Sequence, residues 1–230
     1  MIDRDRKHGA QDRKQDWKAY QPILSCSVIV ACLFLTMPAF GQSSENVRHC
    51  LVSSLSGQTV QIERGGAIEP ATMGYSITLS DTIRTGEASR AEISCEDGIK
   101  ITIAPQSVVN LGNLAGPAKN DQNILIELFS GIAGFIAPKR NWNSFEVRAP
   151  RAIASVRSTE WLVSADALKT SVFVRKGAVA VSPEGALAET LQVGQGMDIE
   201  QGMRAVSFPV KTWPQERVTQ IGSELGFSWQ

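Results

Sequence analysis

Residues Ile99 to Pro105 read IKITIAP, and their alternation decides the fold class. With a side-chain period of two, Ile99, Ile101 and Ile103 share one face of a strand while Lys100 and Thr102 share the other. Outward from this stretch the pattern returns in TVQIER, AEISCEDG, ILIELFSG, WLVSAD, SVFVRKGAVAVS, ETLQVGQGMDIEQG and AVSFPV. Gly86, Asp97-Gly98 and Lys176-Gly177 punctuate these segments with residues that suit turns, so a turn recurs about every ten residues. No amphipathic helical run interrupts them, which argues against a parallel α/β sheet with crossover helices. The prediction is an all-β, solenoid-like or sandwich-like stack of short strands. NLAGPAKNDQN, Asn113 to Asn123, is the most loop-like internal segment and separates two halves of one β unit.

The period changes only near the end. In WPQERVTQIGSELGF, Pro214 suits a first helical turn, Val218, Ile221 and Leu225 share a face, and Gly226 is a stop signal. One short C-terminal helix is expected, covering an open end or edge of the β structure.

At the other end, a polar stretch of about twenty residues precedes the apolar block Ile23 to Phe40, which ends in PAFGQSS. This is the pattern of an export signal, with cleavage expected after Gly41 and an uncleaved anchor as the alternative. The expected organisation is an export signal over 1–41, a flexible start over 42–56, a β domain over 57–202, and a C-terminal strand and helix over 203–230. Export removes Cys26 and Cys32 and leaves Cys50 and Cys95 in a space that permits disulfides. One bridge is predicted, with two separate buried thiols as the alternative.

Charge and motifs narrow the function. The chain has 23 basic and 23 acidic residues, so no overall field favours nucleic acid. No metal-ligand spacing, phosphate loop or dinucleotide fingerprint occurs, and no cofactor is expected. His49 is the one histidine after the signal and lies beside Cys50 with no orienting group in view, so a catalytic dyad is disfavoured. Glu96 with Asp97, and Asp198 with Glu200, read as turn and strand carboxylates, not as an acid pair across a cleft. In VRSTEWLV, Arg157, Thr159, Glu160 and Trp161 form a corner between apolar strands, and Arg157 with Glu160 is expected to latch it. Lys139, Arg140, Trp142, Arg148 and Arg151 form a basic segment with one aromatic, a candidate interaction patch for an acidic glycan or protein.

The order of these blocks resembles the FecR-type periplasmic domain family. That family carries a Gly-Asp, an Arg-Thr-Gly and an alternating strand ending in Asp-Gly, then an Arg-Gly-Thr-Glu-aromatic run and a Gly-X-Val turn. Asp81, Arg84, Thr85, Gly86, Asp97, Gly98, Arg157, Thr159, Glu160, Trp161, Gly177 and Val179 stand at the matching positions, with Ser158 in place of Gly. The resemblance covers roughly 57–202 and implies an all-β, non-enzymatic domain of envelope signalling and protein interaction. The family's namesakes are membrane-spanning sigma-factor regulators with a cytoplasmic helical domain, and about twenty residues before the apolar block are too few for one. The expected partner is an envelope protein, with an acidic glycan as the alternative; a membrane is expected only if the signal stays uncleaved.

Overall fold

The computed structural model describes residues 47–117, 123–139, 144–202 and 206–229. The predicted export signal, Arg140 and Trp142 lie outside the described residues. The first half of the chain forms β1 (Val47–Arg48), β2 (Cys50–Ser56), β3 (Val60–Arg64), β4 (Ala67–Pro70), β5 (Thr82–Thr85), β6 (Arg90–Cys95), β7 (Lys100–Ile103), β8 (Val108–Asn110) and β9 (Gly116–Pro117). A long strand, β10 (Asn123–Ala137), follows. The second half forms β11 (Ser144–Ala149), β12 (Ala152–Val156), β13 (Thr159–Ala165), β14 (Lys169–Lys176), β15 (Val179–Pro183), β16 (Glu189–Leu191), β17 (Gln195–Glu200) and β18 (Val210–Thr212). The helix α1 (Gln215–Leu225) and a 3-10 turn over Phe227–Trp229 close the described chain.

Apart from β1 and β9, which pair with each other, these strands make two layers that share β10. One layer runs β2-β6-β7-β10-β13-β14-β17-β18 and the other β4-β3-β5-β8-β10-β11-β12-β15-β16. The first half of β10 pairs with β8 and β11, its second half with β7 and β13. It changes layer at Gly131, whose φ of 90° suits glycine and whose missing side chain leaves room for Ser107. The C-terminal segment lies over the first layer, so the two are called the covered sheet and the open sheet.

Other segments cross between the layers as folded two-stranded ribbons. Strands β5 and β8 pair in the open sheet, and their continuations β6 and β7 pair in the covered sheet. Likewise β12 and β15 pair in the open sheet while β13 and β14 pair in the covered sheet. The expected stack of short strands is therefore present, in sandwich-like form. Because β11 runs parallel to β10, the second ribbon folds at the opposite edge from the first. The register shows it, since Ala165 pairs with Gly131 at the bend of β10 whereas Thr159 pairs with Ala137 at its far end.

The core lies between the layers. Alternation along β11 and β15 buries every second residue, as in SFEVRA, where Phe145, Val147 and Ala149 are inside. Trp161 of the covered sheet stacks on Phe135 at 5.0 Å and meets the edge of Phe145 from the open sheet at 5.2 Å. All three are fully buried, and each contributes on the order of 2–3 kcal/mol through removal from water. In IKITIAP, Ile101 and Ile103 face this core as expected, but Thr102 is also fully buried, because β7 runs beneath the C-terminal 3-10 turn.

Two boundaries differ from expectation. Order begins before Gly57, because β2 pairs with β6 from Cys50 to Ser56 and Cys50 is bridged to Cys95 at a directly opposed position. The C-terminal helix appears between Pro214 and Gly226 as predicted, but it covers a sheet face, not an end or edge.

Candidate interaction surface

The corner residues are occupied by contacts within the fold. Where β5 leaves the open sheet, the Thr85 hydroxyl donates to the Ala104 carbonyl at 2.6 Å and accepts from the Ser107 amide at 2.9 Å. Gly86 lies beside Thr59, where a Cβ would stand 2.8 Å from the threonine Cβ. At the opposite edge the Thr159 hydroxyl donates to the Ala178 carbonyl at 2.9 Å. Gly177 has a φ of 85°, and a Cβ there would stand 2.6 Å from the Ser158 carbonyl oxygen. Asp97 and Gly98 form the β6–β7 turn, with Gly98 at φ 87° and the Asp97 carboxylate taking Arg48 Nε at 2.6 Å.

The expected latch has a different cation. Glu160 accepts from Arg175 at 2.8 Å and lies 3.6 Å from Lys176, so its partners come from β14 and not from Arg157. The reason is a register shift: Glu160 opposes Lys176 while Trp161 opposes Val174, leaving Arg175 as an extra residue beside Glu160.

Among the described residues, Asp81 carries the most enclosed charge. Its side chain is fully buried; it accepts two bonds from Arg64, at 2.8 and 2.7 Å, together with the Thr78 amide at 2.8 Å and the Thr78 hydroxyl at 3.1 Å. Burial pushes the carboxyl upward, but the Arg64 and Thr78 bonds outweigh it and hold Asp81 below the ordinary aspartate value. The preceding residue, Ser80, has φ 62°, which accounts for a glycine before this aspartate in the family pattern. Sequence reasoning placed Asp81 in a motif but missed Arg64, since nothing local links residues 17 positions apart.

The proposed basic patch does not converge among its described members. Lys139 follows the far end of β10, whereas Arg151 donates to the Ala167 carbonyl at the bend edge. Arg148 lies on the open sheet with Glu127 at 3.3 Å. Between β11, β12, β15 and β16, an open groove of about 460 Å³ is lined by small residues including Ser144, Ser155, Ala180 and Thr190, with Arg157 as its cation. No group of three potential metal ligands occurs among the described residues, and no described helix is long and apolar enough to cross a membrane.

The covered sheet presents a second, separate apolar cluster on its outer side. Ala104, just after β7, with Leu162 and Phe173 of the strands, meets Trp213, Leu225 and Trp229 from the C-terminal segment. Phe173 stacks on Trp213 at 4.9 Å, and Arg217 lies 3.4 Å over the Trp213 ring while gripping Asp198 with bonds of 2.9 and 2.7 Å. Those Arg217 bonds, against the opposing effect of burial and with help from Ser171, lower the Asp198 pKa. No residue of this segment was a predicted site; the helix was expected from Pro214, its apolar face and Gly226, but the tryptophan on either side of it was not singled out.

The fold is thus a β-sandwich whose motif residues brace its corners, with one face covered and one open. Residues 81–180 match the family model described as FecR protein. No curated protein sequence matches the chain. Two crystal structures of a proposed anti-sigma factor from Parabacteroides distasonis ATCC 8503 share the fold at TM-score 0.51, with 18% and 19% identity. Each match covers 60% of this chain and 62% of the other, so the likeness spans under two thirds of those proteins.

Proposed function

We propose that this chain is an exported, non-enzymatic interaction module of bacterial envelope signalling or assembly, working through a protein partner. The observation that carries the reading is the use of the FecR-type motif residues. Thr85, Thr159, Glu160, Asp97 and Asp81 each bond another part of the fold, so the motif supports the domain and leaves recognition to its faces. The similarity to a proposed anti-sigma factor agrees with a regulatory role. The glycan alternative loses support from the separation of Lys139 and Arg151 at opposite edges.

The test is in-cell crosslinking of the tagged chain, followed by mass spectrometry. A reproducible envelope protein, with crosslinks at the sheet faces or the C-terminal segment, supports the reading. Recovery of the chain alone, or with polysaccharide only, refutes it.

A further inference from the structure

The covered face holds two seats shaped for aromatic rings. A Cβ on Gly134 would collide with the Trp229 indole, and a Cβ on Gly196 with the Trp213 indole, so each ring rests where the sheet has no side chain. Polar groups stand beside each seat. Arg175 lies 4.1 Å from the centre of the Trp229 ring. Asp198 and the Ser171 hydroxyl both bond Arg217, four residues after Trp213. Arg90 Nε donates to the Glu224 carbonyl at 2.6 Å, capping the end of α1.

This segment is held by those side-chain contacts, with little strand pairing of its own. Its apolar cluster is distinct from the inter-sheet core, and β18 pairs with β17 over only three residues. The helix has no side-chain N-cap bond, and Leu225 is its one buried residue. The Trp229 Nε1–H is buried without a hydrogen-bond partner. A unit whose apolar cluster is separate from the main core can open without global unfolding. An opened strap would bare Leu162 and Phe173 together with both glycine seats, Asp198 and Arg90.

We propose that residues 213–229 are a displaceable occupant of a recognition face on the covered sheet, which takes a helical segment of a partner protein. The segment carries an aromatic ring four residues before an arginine and a second aromatic beyond them. The chemistry follows from what the strap itself satisfies: two ring-sized seats, an acceptor pair for one guanidinium, and an arginine for a helix end. The inference deepens the interaction reading above and rests on it.

A fluorescent peptide comprising residues 206–230 serves as probe against the whole chain, by anisotropy. It should bind the Leu225→Ala/Trp229→Ala variant, whose strap is loosened, at least about tenfold more tightly than the wild type, where the tethered strap competes. Adding Gly134→Leu fills one seat and should abolish that gain. Equal binding to all three proteins, or none to the double variant, overturns the proposal. Hydrogen exchange on the wild type gives an independent check that does not depend on the variants folding. Strap amides should exchange through an opening that leaves β10 and β13 protected; exchange of strap and sandwich only together overturns displaceability. A crosslinked partner with a failed probe leaves the interaction reading standing and removes this one.

Discussion

Replacing Asp81 with Asn tests whether the buried Asp81–Arg64 pair holds the open sheet to the loop before it. With its amide oxygen kept towards the Thr78 N–H and Arg64 Nη2, the variant keeps the shape but turns an N–H₂ group to Arg64 Nε, which ends that bond and removes the carboxylate charge from the pair. Such bonds contribute about 1.5–3 kcal/mol each when enclosed. The Arg64 side chain is 41% exposed and regains water, so the expected loss at pH 7 is about 2–3 kcal/mol in total. Since the folded-state pKa is lowered, the wild type has this contribution in full above the unfolded value near 4 and loses it as pH falls towards the lower folded value. Urea unfolding of both proteins from pH 7 to pH 3, followed by tryptophan fluorescence, should show a gap that narrows on acidification. Equal midpoints at pH 7, or a gap that does not shrink, would refute the reasoning.

Four further outcomes follow from the fold. Glu160→Ala should cost about 1 kcal/mol, since Glu160 and Arg175 are both partly exposed, and a loss near 4 kcal/mol by chemical denaturation would contradict the assigned pairing. Reducing the Cys50–Cys95 bridge should lower stability by roughly 4 kcal/mol in the chain-entropy model, an effect that Cys50→Ser/Cys95→Ser should abolish in paired melts with and without reductant. Gly177→Ala adds a Cβ 2.6 Å from the Ser158 carbonyl oxygen at φ 85°. It should cost about 2 kcal/mol or more, and an unchanged melting temperature would argue against the corner. Thr85→Val and Thr159→Val should each cost about 1–3 kcal/mol, Thr85 more because its hydroxyl also accepts the Ser107 amide, and the reverse order by thermal melting would count against these roles.

Strand identity was legible wherever one face meets the core and the other meets water, as in SFEVRA of β11. It was less legible in β7, where the covering turn buries Thr102 on the polar side of the pattern. The Cys50–Cys95 bridge followed from counting the cysteines that lie beyond the predicted export signal, but their direct opposition in the ladder is a fact of register. The partner of Glu160 was not legible, because a bulge moves Arg175 into place and a bulge leaves no signature in alternation. Trp213 and Trp229 were missed for a related reason: their seats, Gly196 and Gly134, lie in other strands and have no sequence relation to the rings they receive.

The opposite folding edges explain why two motifs so far apart do one job. Where a ribbon passes from one sheet to the other, its ladder is interrupted and backbone groups lose their strand partners. At the bend edge the Thr85 hydroxyl takes over for Ala104 and Ser107; at the far edge the Thr159 hydroxyl takes over for Ala178. Each site needs a short hydroxyl side chain and a neighbouring residue without a clashing Cβ, which Gly86 and Gly177 provide. Arg-Thr-Gly in the first half and Ser-Thr followed by Gly177 in the second are thus two solutions to one geometric demand. Within the polar cluster between the apolar runs of β12 and β13, that demand accounts for Thr159, while the register shift that sets Arg175 beside Glu160 accounts for the carboxylate.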